Sequence, residues 1–90
     1  MKELIIDGKN IHNKEIFYMY IRWQLDSCEY YGDNLDALWD VLSTYDKPIT
    51  IRFINKEFLI ENLADYGQSI INVFQDGAEE NYNISLEISD

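Results

Sequence analysis

Hydrophobic positions recur along this chain with two different periods, and each change of period marks an element. Residues 3–7, Glu-Leu-Ile-Ile-Asp, form a short apolar run that ends on the turn signal Asp7-Gly8 and predicts a strand. Asn13 is placed to cap a helix beginning at Lys14, in which Ile16, Phe17, Tyr20, Ile21 and Leu25 recur at helical spacing. Residues 26–33 are polar and aromatic, contain Gly32, and read as a loop. Asn34 suits the N-cap of a second helix, whose Leu35, Leu38 and Leu42 lie on one stripe. Past a loop punctuated by Pro48, Ile49, Ile51 and Phe53 alternate with Thr50 and Arg52, the period of a strand. Residues 56–63 read as a short helix. Asp65 or Tyr66 opens a fourth, with Ile70, Ile71, Val73 and Phe74 facing inward. Residues 83–88 close the pattern as a strand with Ile84, Leu86 and Ile88 on one side.

The order is strand, helix, helix, strand, helix, helix, strand. Helical crossovers between strands imply parallel pairing with right-handed connections. The expected fold class is therefore α/β: a three-stranded parallel sheet packed by about four helices, in two or three layers. With 90 residues, no repeats and no linker-like stretch, a single domain spanning residues 1–90 is expected.

Composition narrows the functional classes. Glu3 and Asp7 stand where a signal peptide would need an unbroken apolar stretch, so the chain is expected to stay in the compartment where it is made. The one cysteine, Cys28, permits neither an internal disulfide nor a zinc site built from cysteines, and this suits a reducing cytoplasm. Catalysis finds little to work with. The one histidine, His12, has no evident partner, and Cys28, Ser27 and Ser43 lack a base. The four glycines are scattered and form no phosphate loop. No catalytic residue, metal site or cofactor is expected, and the chain does not read as an enzyme.

Charge then points to a partner. Seventeen acids against seven Lys and Arg give a net charge of −10. Such a surface disfavours nucleic acid and anionic membrane, both of which need facing cations, and favours a basic protein. The plain alternative is that acidity keeps a bacterial-type cytosolic protein in solution. The distribution is uneven. No cation lies between Arg22 and Lys47, a window holding Asp26, Glu29, Asp33, Asp36, Asp40 and Asp46 together with Tyr30, Tyr31, Trp39 and Tyr45. In the second helix Leu35, Leu38 and Leu42 take one side, and Asp36, Asp40 and Ser43 the other, with Trp39 at the flank. Asp36 is explained by the first-turn dipole. Asp40 lies past the first turn and four residues from a like charge, which costs about 0.2–0.5 kcal/mol. Acids interleaved with aromatics have the composition of a binding surface. Two other readings stay open on these residues. One is a small acidic carrier, because Asp26-Ser27 echoes a cofactor-attachment site. The other is a metal binder using Asp36 and Asp40, although no EF-hand spacing is present.

The stretch Glu29-Tyr30-Tyr31-Gly32-Asp33-Asn34-Leu35-Asp36-Ala37-Leu38-Trp39-Asp40 resembles the signature of the barstar family, intracellular inhibitors of the secreted ribonuclease barnase. The length, the Asp7-Gly8 turn, Pro48 and the Val73-Phe74 pair extend the resemblance over essentially the whole chain. It implies a cytoplasmic immunity protein with no activity of its own, a monomer when free, whose partner is a basic, barnase-like ribonuclease of the secreted type. It also implies that the second helix and the loop before it plug the nuclease active site. By position, Asp40 would take the place of the scissile phosphate and Asp36 would support it. Tyr30 would pack on the catalytic histidine, Tyr31, Gly32, Asn34 and Leu35 would form the plug surface, and Trp39 and Ser43 would flank the contact. The family's second acidic contact, a glutamate on the last helix, falls on Asp76. Its tryptophan and preceding glycine after the second helix fall on Tyr45 and Thr44. These departures point to a nuclease that differs from barnase, or to a barstar-like module that binds another basic protein. The family's proline is cis, which leaves Lys47–Pro48 to be examined.

Overall fold

A computed structural model of the protein describes residues 2–25 and 34–89. Three stretches rich in β-branched residues form strands: β1 (Lys2–Asp7), β2 (Ile49–Ile54) and β3 (Ile84–Ile88). They pair in parallel in the order β1-β2-β3, with Leu4 opposite Ile51 and Ile51 opposite Leu86. A 3-10 turn at Gly8–Asn10 follows β1. Helices α1 (Lys14–Leu25) and α2 (Leu35–Thr44) precede β2, and α3 (Lys56–Leu63) and α4 (Asp65–Glu80) precede β3. The element order, the parallel sheet and the four helices are those the hydrophobic pattern predicts.

The period of two along each strand settles the number of layers. Leu4, Ile6, Ile49, Ile51, Phe53 and Ile84 are buried on one face, against Phe17, Tyr18 and Ile21 of α1, Leu38 and Leu42 of α2, Leu59 of α3, and Ile70, Ile71 and Phe74 of α4. Phe74 is the hub, with its ring edge-on to Phe53 at 4.9 Å and to Phe17 at 6.3 Å. The opposite face exposes Glu3, Ile5, Arg52 and Glu87. There Arg52 Nε donates to Glu87 Oε2 at 2.7 Å and lies 3.6 Å from Glu3 Oε2. All-parallel sheets are usually covered on both faces and read as continuous apolar runs. These strands alternate, so the arrangement has two layers.

Two expectations for α1 need correction. Asn13 caps it as expected, its Oδ1 accepting from the Ile16 amide at 2.9 Å. The buried stripe, however, is Phe17, Tyr18 and Ile21, and Ile16 stands on the exposed side. Apolar residues surround this helix, so spacing alone allowed more than one phase. The structure selects the phase in which the Tyr18 hydroxyl meets that of Tyr66, which gives a fully buried tyrosine a partner. Tyr20 is half-buried, and its hydroxyl donates to the Ile5 carbonyl of β1. Burial, with the Asp7 carboxylate nearby, raises that hydroxyl's pKa and keeps it a donor. Val73 is likewise half-buried rather than in the core.

Helices α3 and α4 meet at a sharp corner. Ala64 between them has φ 55° and ψ −133°, a conformation that L residues rarely adopt. Gly67 then allows α4 to cross closely, since a Cβ there would stand 2.7 Å from the Leu59 carbonyl oxygen. Among the described residues every peptide bond is trans, Lys47–Pro48 included.

Candidate functional site

Helix α2 carries most of the candidate residues that lie among those described, and its sequence explains how they are presented. Asn34, with φ −148° and ψ 167°, is outside the helix, and its Oδ1 accepts from the Ala37 amide at 2.8 Å. That bond satisfies one orphan donor of the first turn and fixes the rotational phase of the helix. Leu38 and Leu42 then point into the core and Leu35 is half-buried, so Asp36, Trp39 and Asp40 face outward. Ser43 is half-buried on the flank. The Asp40 carbonyl accepts from Thr44 Oγ1 at 2.6 Å and from Ser43 Oγ at 3.3 Å. These bonds use the backbone of Asp40 and leave its carboxylate to solvent.

Among the described residues neither Asp36 nor Asp40 forms an ion pair. Nor does any group of three His, Cys, Asp or Glu side chains there come together as a metal site. Two like charges one helical turn apart, with no cation supplied, suit a partner that brings its own. The carrier alternative rests on Asp26-Ser27, but such carriers resemble four-helix bundles, and this chain folds around a three-stranded sheet. Ser27, its attachment residue, lies outside the described residues, as do Tyr30, Tyr31, Gly32 and Cys28. Trp39 is 36% exposed, so it is partly packed and partly open to solvent.

The C-terminal end of α2 is held by residues that sequence reasoning did not single out. Asn81 is 6% exposed, the one buried polar residue among those described. Its Nδ2 donates to the Leu42 carbonyl at 2.9 Å and to the Tyr45 carbonyl at 2.8 Å. Asn83 Nδ2 adds a bond to the Tyr45 carbonyl at 3.2 Å, and the Asn83 amide donates to Asn81 Oδ1 at 3.0 Å. The last carbonyls of a helix have no partner within it, so this clamp ends α2 and ties it to the start of β3. Gly77 completes the seat, because a Cβ there would lie 3.1 Å from Leu42 Cβ. Side-chain-free α4 backbone thus lets α2 sit close. An Asn at the C-cap of a 16-residue helix was the available signal.

The structure therefore brings together Leu35, Asp36, Trp39, Asp40 and Ser43 on one helix, with Asn34 at its N-cap and Tyr45 just past its end and half-buried. Asp76 is exposed on α4, one residue before the glycine that touches Leu42. His12 is exposed outside these elements. No helix among the described residues is long and apolar enough to cross a membrane.

The chain is similar to known proteins over most of its length. YrdF of Bacillus subtilis (strain 168), whose name marks it as a candidate ribonuclease inhibitor, is 40% identical over 81 residues, covering 89% of this chain and 89% of that protein. The family model described as Barstar (barnase inhibitor), a family of inhibitors rather than enzymes, matches residues 1–89. The chain belongs to the barstar family.

Proposed function

We propose that the protein is a cytoplasmic inhibitor of a basic, barnase-like ribonuclease, acting with no cofactor. Asp40 takes the position of the scissile phosphate and Asp36 supports it. Asn34 and Leu35, with Tyr30, Tyr31 and Gly32 of the preceding loop, form the rest of the plug. Trp39 and Ser43 flank the contact, and Tyr45 and Asp76 lie at its rim. A site that cuts RNA gathers cations to hold phosphate and its developing charge. Carboxylates presented in that pattern form charge-assisted bonds with those cations and exclude substrate. The observation that carries this reading is the exposed Asp36–Asp40 pair on a capped helix, with no cation of its own among the described residues.

Titration against a barnase-like ribonuclease tests it. Stoichiometric inhibition is expected, with association slowing as salt screens the attraction. Asp40→Ala is expected to weaken binding by about 3–5 kcal/mol, because the nuclease cations are left buried and unpaired. Equal inhibition by wild type and Asp40→Ala would sink the mechanism.

A further inference from the structure

Helix α1 shows solvent an apolar stripe that the core does not use. Ile16, Met19 and Trp23 are 37%, 62% and 74% exposed. With the half-buried Tyr20 they occupy positions i, i+3, i+4 and i+7, one continuous face opposite Phe17, Tyr18 and Ile21. Single exposed apolar residues are ordinary, whereas a contiguous helical stripe marks an interaction surface. The stripe is held in place. Tyr20 is bonded to the β1 backbone, and the Trp23 ring packs on Tyr20 with centroids 6.3 Å apart.

Charge selects the occupant. The chain carries −10 overall, but residues 2–25 hold four cations (Lys2, Lys9, Lys14, Arg22) against three acids (Glu3, Asp7, Glu15). Fourteen of the seventeen acids lie beyond residue 25. Two copies of so acidic a protein repel wherever α2 and α4 would meet, and do so less at α1. A basic partner gains nothing there by charge. The flank of the stripe is also self-complementary. Glu15 and Arg22 stand two turns apart on the same side of the helix, so two α1 helices laid antiparallel about a two-fold axis bring Glu15 of one copy to Arg22 of the other, twice. A guanidinium has donors enough for more than one acceptor.

We propose that the outward face of α1 is a self-association surface at which two copies pack antiparallel, Ile16, Met19, Tyr20 and Trp23 against their equivalents, with reciprocal Glu15–Arg22 pairs. This departs from the monomer that the family resemblance implies for the free chain. It does not depend on the inhibitory reading of α2. A contact of about two helical turns falls short of the roughly 1,200 Å² of a stable interface, so the dimer is weak and concentration-dependent.

Sedimentation velocity from about 10 μM to about 1 mM, the range of weak association, tests this. Wild type is expected to move from 10.7 kDa toward twice that mass. Trp23→Lys is expected to stay monomeric, with an unchanged circular dichroism spectrum and undiminished ribonuclease inhibition. Glu15→Arg or Arg22→Glu alone weakens association, and the two together restore it, which no purely structural role for either residue would produce. Wild type monomeric throughout, association untouched by Trp23→Lys, or a double swap that fails to restore it would each overturn the proposal. Because the readout is mass, its failure is distinguishable from a failure of inhibition.

Discussion

Helices α1 and α2 are twelve and ten residues long and both feed the same core, yet they turn opposite chemistry outward. From α2, Asp36 and Asp40 face solvent. From α1, Met19 and Trp23 do. In α2 the residues left outside include both carboxylates, so burial leaves an anionic face beside Trp39. In α1 the residues left outside include Ile16, Met19 and Trp23, so burial leaves an apolar one. Two faces with different chemistry admit two different partners, a cation-rich one for α2 and an apolar, charge-matched one for α1.

The largest effects test which side of each helix is which. Loss of Asp40 should appear in binding, by the several kcal/mol given above, and hardly in folding. The reverse holds for Tyr18. Tyr18→Ala removes a fully buried ring and strands the Tyr66 hydroxyl, at a cost of about 3–5 kcal/mol in urea unfolding. Ile16→Ala, two residues away and exposed, should stay within about 0.5 kcal/mol of wild type. A larger cost at 16 than at 18 would restore the phase first expected from spacing.

That contrast also explains what was legible in the sequence. Element order, parallel pairing and the phase of α2 were readable because each rests on an unambiguous local signal: alternation in Ile49–Phe53, an Asn34 cap, and leucines only at 35, 38 and 42. The phase of α1 was not, because Ile16, Phe17, Tyr18, Met19, Tyr20 and Ile21 are apolar in succession, and only the partner across the core decides which of them go in. The Asn81 clamp was not legible either. An Asn at the end of α4 marks a helix terminus, but its worth comes from carbonyls nearly forty residues earlier in the chain, which that local signal does not name.

Asn81 sharpens the comparison from the side of α2, since its side chain holds the C-terminal end of that helix. Asn81→Ala leaves the Leu42 and Tyr45 carbonyls without their buried donor and should cost about 1–3 kcal/mol of stability. Inhibition should weaken less than with Asp40→Ala, because the carboxylates remain while the helix end loosens. If Asn81→Ala weakens inhibition as much as Asp40→Ala does, the fixed position of α2 matters as much as its charge. A change at Ala64, in the corner between α3 and α4, serves as a control. Ala64→Gly relieves the positive φ between α3 and α4 and should raise stability by about 1 kcal/mol, with inhibition and self-association unchanged.

The smallest expected effect separates folding from function at one residue. Asp36 and Asp40 are like charges at i and i+4, a pairing that destabilises a helix by about 0.2–0.5 kcal/mol. Asp40 stands in the second turn, where the helix dipole gives an anion little compensation. Asp40→Asn keeps the shape and removes the repulsion, so unfolding at low salt should become harder by that amount, with the gain shrinking as salt is added. The same substitution should impair ribonuclease inhibition. Opposite signs from one side chain are expected where a charge is arranged for a partner rather than for the fold. A variant destabilised by the loss of Asp40 would mean instead that this carboxylate serves the helix.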